Sequence, residues 1–147
     1  MIFAPSHIKQ FVKPIIGKNK YFCDDIYSRF TFAYEVCCSC GNDKFVIYKN
    51  SEPKVTAYCE SCGKTITLYD LVEYSCAVTV RKDGEEVLKK ITTNNNDKFN
   101  VAIIFEYSDE FELDDENFDE NDVTWCQIYL FDTVSMQSFM IVDDETA

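Results

Sequence analysis

The sequence predicts a mostly β fold, with α+β as the alternative. Short segments rich in aromatic and β-branched residues recur along the chain, separated by residues that favour turns. With 46% hydrophobic and 15% aromatic residues, the chain has enough apolar surface to offset the entropy lost on ordering. The helical signal is short by comparison. Ser6 is a candidate N-cap for a helix over residues 6–11, and Pro14 limits that helix.

Seven segments have the composition and length of strands. They are residues 30–36, 44–49, 54–59, 64–74, 99–107, 123–132 and 138–143. Residues 75–93 are expected to form a hairpin, because Asp83 and Gly84 suit a two-residue type I′ turn and alternating residues precede them. Residues 94–97 are all Asn or Asp, which favours a loop because these side chains bond to the nearby backbone.

The segment 123–132 is apolar on both of its predicted faces. Alternation along a strand divides its side chains into two sets. One set is Cys126, Ile128 and Leu130, and the other is Trp125, Tyr129 and Phe131. This pattern is typical of a central strand in a sheet that is covered on both sides. The alternative is that one of the two faces meets a partner.

The length and the cysteine content bound the class of protein. A chain of 147 residues without a flexible linker is expected to form a single domain, residues 1–147. No segment approaches the ~18 apolar residues that a membrane span needs. No signal peptide is predicted, so we expect a cytoplasmic protein with no membrane partner. In that compartment the eight cysteines are expected to be metal ligands or reduced thiols rather than disulfides.

The charge is distributed unevenly along the chain. The formal net charge is -12, with 14 Lys+Arg and 26 Asp+Glu. Residues 99–147 contain no lysine or arginine, and residues 106–122 contain ten carboxylates in 17 positions. A face of this sign repels nucleic-acid phosphates and attracts a basic protein. The alternative is a solvated loop that only keeps the protein soluble.

Two C-x-x-C-G motifs carry the clearest chemical signal. They predict a metal site whose ligands are Cys37, Cys40, Cys59 and Cys62. Two intervening residues in a tight turn let both thiolates reach one ion at ~2.3 Å, and a following glycine tolerates the positive φ of such a turn. Cys38 is the alternative in the first motif, since Cys38-Ser39-Cys40 offers a different pair.

The segment 37–69 resembles the zinc-ribbon family, in which a hairpin brings two such motifs together. The resemblance implies an embedded ribbon with one zinc ion held by four thiolates. A four-thiolate site has no open position, so this zinc is expected to be structural. Iron in a rubredoxin-like site is the alternative, because it would use the same sulfurs. The other cysteines, Cys23, Cys76 and Cys126, are expected to be core thiols.

The sequence offers no recognisable catalytic machinery. Its four glycines are isolated, so no phosphate-cradling loop is present. His7 is the only histidine, and no nucleophile motif accompanies it. The carboxylates of residues 106–122 are too many for two of them to be singled out as an acid–base pair. We therefore expect a protein that is not an enzyme.

In size, acidity and lack of catalytic motifs, the chain resembles the small bacterial immunity proteins that neutralise toxins. The resemblance implies an inhibitor that binds a basic, nuclease-like toxin through an acidic surface studded with aromatic residues, Tyr107 among them. The candidate contact residues are Asp109, Glu110, Phe111, Glu112, Asp114, Asp115, Glu116, Phe118, Asp119, Glu120, Asp122 and Trp125.

Two alternatives to the inhibitor remain at this level. One is a nucleic-acid-binding ribbon, because lysines at positions 44, 49, 54 and 64 are interleaved with Phe45, Tyr48 and Tyr58. Against it, the sequence pI is about 4.4, well below the basic range typical of nucleic-acid binders. The other is an accessory subunit of a transcription or translation assembly, which differs from the inhibitor only in its partner.

Overall fold

The strands form two antiparallel sheets in a computed structural model that describes residues 2–15, 20–21, 29–51, 53–71 and 87–145. The mostly β prediction is confirmed. The first sheet has the order β1-β2-β7-β8-β9. Its strands are β1 (Val12–Pro14), β2 (Thr31–Val36), β7 (Asn100–Tyr107), β8 (Val123–Asp132) and β9 (Gln137–Glu145).

The second sheet is built from the cysteine-bearing part of the chain. It has the order β5-β4-β3-β6. Its strands are β3 (Val46–Lys49), β4 (Lys54–Tyr58), β5 (Thr65–Asp70) and β6 (Lys89–Lys90). Most of the predicted hairpin over residues 75–93 lies outside the described residues, and its described part contributes β6.

The short helix begins later than its sequence predicts. It is a 3-10 helix, Lys9–Phe11, and Ile8 precedes it without a side-chain cap. Ser6 donates its backbone N–H and its hydroxyl to Asn121 Oδ1 at 2.8 and 2.9 Å. The prediction of Ser6 as the N-cap is therefore wrong, because a long-range contact uses its hydroxyl. Among the described residues, no helix has the length and hydrophobicity needed to span a membrane.

The main core cluster takes side chains from both sheets. Phe45 and Phe99 are fully buried, and their backbones exchange two hydrogen bonds of 2.9 Å. This bridge joins the chain just before β3 to the chain just before β7. Leu68 of the second sheet and Ile128 of the first are also fully buried in the cluster. The two sheets therefore share one apolar interior.

The two faces of β8 differ along their length. Cys126, Ile128 and Leu130 are fully buried in the main core, as their alternation predicts. On the opposite face Phe131 is buried in a small cluster that Tyr21 and Ala102 share. Trp125, at the other end of the same face, is 36% exposed. The face of the first sheet that points away from the main core, its outer face, is thus covered at the end near Phe131 and open at the end near Trp125.

Asp132, at the end of β8, fixes two loops by hydrogen bonds. The Thr93 hydroxyl donates to Oδ2 at 2.6 Å, and the Asn96 amide donates to Oδ1 at 2.8 Å. The backbone N–H of Val134 donates to the same carboxylate at 2.9 Å. The bond from Thr93 is the largest of the effects that hold the pKa of Asp132 far below its usual range. A carboxylate with a depressed pKa stabilises the folded state above the unfolded pKa, and this contribution is lost as the pH falls through the folded value.

We expect Asp132→Ala to lower the melting temperature by several degrees at neutral pH, because it removes an acceptor that the three donors above share with the Ser135 N–H, at 3.4 Å. The difference from the parent protein should shrink as the pH falls below the ordinary range for Asp, about 4. Thermal melts followed by circular dichroism across this range check both points. Asp109→Asn is the control, since Asp109 is exposed. A difference between Asp132→Ala and the parent that is independent of pH would contradict the electrostatic origin.

Candidate functional site

Four cysteine side chains converge at one end of the second sheet. The Sγ atoms of Cys38, Cys40, Cys59 and Cys62 all lie within 4.8 Å of one another. The Cys38–Cys62 and Cys40–Cys59 pairs are each separated by 3.5 Å. A tetrahedron of sulfurs at ~2.3 Å from a central ion has edges of about 3.8 Å. The cluster therefore has the dimensions of a four-thiolate metal site.

The first cysteine turn follows β2 directly. The Cys38 N–H donates to Asn42 O at 2.8 Å, and the Gly41 N–H donates to Cys38 O at 2.8 Å. Gly41 has φ 94°, and a Cβ at this position would meet nothing within 4 Å. The glycine is therefore required by the left-handed backbone of the turn, and not by lack of space.

The second cysteine turn joins β4 to β5 and has the same form with one more residue. The Cys59 N–H donates to Lys64 O at 2.9 Å, and the Gly63 N–H donates to Cys59 O at 2.8 Å. Gly63 has φ 79°. Cys38 thus corresponds to Cys59, and the first turn is C-x-C-G where the second is C-x-x-C-G.

The structure places Cys38, and not the predicted Cys37, in the cluster. Tyr34 and Val36 face the core from β2, and Cys38 continues this alternation beyond the end of the strand. The Cys37 N–H donates to Phe11 O at 2.7 Å, which keeps the backbone extended at this point. The equal spacing of the two motifs suggested Cys37, whereas the alternation of β2 is the signal that identifies Cys38.

The environments of the four thiols divide them into two pairs. Cys38 and Cys59 are buried, whereas Cys40 and Cys62 are exposed. Burial alone would raise the pKa of Cys59, but hydrogen bonds outweigh it and lower the pKa to about 6. The first of these comes from Asn42 Nδ2, which lies 3.3 Å from the Cys59 Sγ. Burial likewise opposes ionisation of Cys38, and hydrogen bonds led by the Cys40 N–H lower its pKa.

The exposed pair shows the opposite shift. At Cys40 the largest single effect is the backbone N–H of Asn42, which favours the thiolate. Side-chain hydrogen bonds within the cluster, led by the one with Cys59, and desolvation together outweigh it and raise the pKa to about 12. At Cys62 the largest single effect is the Lys64 N–H, which favours the thiolate. The bonds with Cys38 and Cys59 and desolvation together outweigh it and raise the pKa. Four thiolates within this distance repel one another, and a bound cation would remove that conflict. The cluster could therefore hold a metal ion, and its all-sulfur donor set suits zinc or iron.

The acidic loop, residues 108–122, connects β7 to β8 and is anchored on the core. The Phe118 ring contacts the rings of Phe3 and Tyr107, with centroid distances of 5.9 and 5.2 Å. The Tyr107 hydroxyl donates to Glu120 O at 2.7 Å. Of the aromatic residues predicted as contacts, Phe118 is half-buried against this support, while Phe111 is 38% exposed.

Four carboxylates of the acidic loop bond to other described residues, and five do not. Glu120 pairs with Lys9 at 2.6 Å, and Glu112 pairs with Arg29 at 2.5 Å. Asp115 and Asp119 accept backbone N–H groups two residues on, which shapes the loop. The remaining carboxylates are exposed and bond to none of the residues that the structure describes. They are Asp109, Glu110, Asp114, Glu116 and Asp122.

The structure also locates two other residues that the sequence singled out. His7 is exposed, and Cys126 is a fully buried core thiol, as predicted. Cys23 and Cys76 lie outside the described residues.

No family model, curated protein or solved structure matches the chain. The fold and the site define a mostly β protein of two antiparallel sheets with a four-cysteine cluster that could hold a metal ion.

We expect Cys38→Ser to abolish stoichiometric metal binding, because it removes a ligand at the buried side of the cluster. Cys37→Ser is the matched control in the neighbouring position and should leave the metal content unchanged. Native mass spectrometry of both variants, purified without added metal, measures the result directly. Loss of metal from Cys37→Ser with retention in Cys38→Ser would restore the ligand set predicted from spacing.

Proposed function

We propose that this chain is a non-catalytic inhibitor of the immunity type, which neutralises a basic, nuclease-like toxin by binding it. The observation that carries the proposal is the acidic loop, which presents from an anchored backbone five exposed carboxylates that bond to none of the described residues. A nuclease needs a basic surface, because phosphate contacts dominate nucleic-acid affinity. An inhibitor of opposite charge gains a faster association and blocks that surface.

The support of the loop favours binding over mere solubility. A loop that only kept the protein soluble would need no fixed conformation. Here Phe118 packs on the core, and the Glu120 carboxylate is held by Lys9. Fixing the backbone in advance reduces the ordering entropy lost on binding. Phe111, at the exposed side of the same loop, is suited to act as an apolar anchor among the charges.

In this proposal the four-cysteine cluster holds one structural zinc ion. Cys38, Cys40, Cys59 and Cys62 would be its ligands, and Asn42 would bond to the Cys59 sulfur from outside that shell. Zinc would supply charge neutralisation and a cross-link, and four thiolates would leave it no open position for catalysis. The β3–β4 hairpin that brings the two cysteine turns together resembles a zinc ribbon. Iron remains the alternative metal.

A second candidate function is nucleic-acid binding through the second sheet, as in a transcription or translation accessory subunit. The observation that favours it is that Tyr48 and Tyr58 are half-buried side chains on one face, and Lys90 lies opposite Tyr48. Such a face could stack on bases. Phe45, the third aromatic residue predicted for this role, is fully buried and is not accessible to bases.

The inhibitor proposal predicts a partner that depends on the acidic loop. We expect a basic protein to be captured from host lysate, to resist nuclease treatment, and to be toxic when produced alone. Its toxicity should disappear when this chain is produced with it. The triple variant Asp109→Asn, Asp114→Asn, Glu116→Gln should weaken the measured affinity by at least about tenfold, since it removes three charges from the contact.

The matched control removes three charges near the second sheet. It carries Asp43→Asn, Glu60→Gln and Asp97→Asn, and should change the affinity by less than about threefold. If both triple variants lost the same affinity for the partner, the acidic loop would contribute only through the net charge of the protein. Capture of nuclease-sensitive material that ignores both variants would instead favour the second candidate function.

A further inference from the structure

The open end of the first sheet carries a row of three exposed side chains on its outer face. Glu106 of β7 pairs with Trp125 of β8, which pairs with Glu145 of β9. Directly opposed residues of antiparallel strands have Cβ atoms about 4.5–5.5 Å apart and point to the same face. Trp125 therefore lies between two glutamates in one row, and all three side chains are exposed to solvent.

A fourth side chain fixes the orientation of the indole. Trp125 Nε1 donates to Asp143 Oδ1 at 2.7 Å. Gln127 Nε2 donates to the same oxygen at 3.0 Å, so the acceptor is itself held in position. An exposed indole without such a bond would sample several rotamers. Here the plane of the ring is set before any partner arrives.

This face has no cation from its own strands. Residues 99–147, which include β7, β8 and β9, contain no lysine or arginine. Elsewhere the described residues place cations over aromatic rings, with Lys64 over Phe11 and Arg29 over Phe30. Arg29 precedes β2 and is also paired with Glu112. The Trp125 indole takes none of the cation contacts that the structure describes.

We propose that Trp125, Glu106 and Glu145 form a seat for an arginine side chain of the basic protein partner. A guanidinium can stack on the indole face and donate to the flanking carboxylates at the same time. Lysine fits this arrangement less well, because its ammonium is a point charge that cannot stack as a plane. The seat lies on strands and uses Glu106 and Glu145, which are separate from the acidic loop. It rests on the proposed function for the nature of the partner.

The single tryptophan of the chain gives a direct readout of this seat. The probe is a blocked peptide of alternating arginine and glycine, titrated while tryptophan emission is followed. We expect a saturable change in emission. A peptide in which citrulline replaces arginine should bind at least about fivefold more weakly, because it keeps the shape and removes the charge.

Two double variants separate the seat from the general negative charge. Glu106→Gln with Glu145→Gln should weaken the affinity for the arginine peptide by about fivefold or more. Asp114→Asn with Glu116→Gln removes the same charge from the acidic loop and should weaken it by less than about twofold. Both pairs keep Trp125, so unchanged emission of the free variants and an unchanged melting temperature confirm that each is folded.

Equal weakening by the two double variants would overturn the seat, as would equal binding of the citrulline peptide or no change in emission. Failure of the seat is distinguishable from failure of the proposed function. If the affinity of a toxin depended on the acidic loop but was unchanged by Glu106→Gln with Glu145→Gln, the arginine seat would be refuted and the proposed function would stand. If arginine bound specifically at Trp125 but no toxic basic partner existed, the arginine seat would stand and the inhibitor proposal would be refuted.

Discussion

The rest of the structure depends on four sulfur atoms held within 4.8 Å of one another. Two come from the turn that follows β2 of the first sheet, and two from the turn between β4 and β5 of the second. Thiolates this close repel one another, and hydrogen bonds within the cluster shift the pKa values of Cys59 and Cys40 in opposite directions. A cation bound between them would turn repulsion into a cross-link. Because Cys38 and Cys59 belong to the shared core, that link would join the two sheets where their apolar interiors meet.

The two sheets would contribute differently to the proposed function. The first sheet supplies long central strands, β7 and β8, whose inner faces fill the core and whose connection is the acidic loop. This arrangement places negative charge on a rigid base, which suits fast and selective association with a basic surface. The second sheet supplies the cysteine turn between β4 and β5, while the other cysteine turn leads from β2 of the first sheet towards β3. In the proposed function, the metal cluster would serve stability and the acidic loop would serve recognition, so substitutions in one are expected to leave the other intact.

Short-range patterns in the sequence predicted the features that depend on neighbouring residues, namely the buried face of a strand and the cysteine turns. The alternation of residues 123–132 placed Cys126 and Ile128 in the core, and the two glycine-terminated motifs predicted that distant cysteines meet. The prediction of Cys37 as a member of the cluster was wrong. Motif spacing suggested Cys37, whereas the alternation of β2 continues beyond the strand and turns Cys38 inward. Ser6 was wrong as an N-cap because its partner, Asn121, is 115 positions away. Such contacts depend on the pairing of whole strands, and no short window of sequence contains them.

The central claim is that a metal ion in the four-cysteine cluster holds both sheets in one cooperative unit. Amide hydrogen exchange, measured with and without a chelator strong enough to remove zinc, tests it most directly. The account predicts that protection is lost together in β4 and β5 and in the distant strand β7 of the first sheet. Loss confined to the second sheet, or exchange rates unchanged by the chelator, would contradict it.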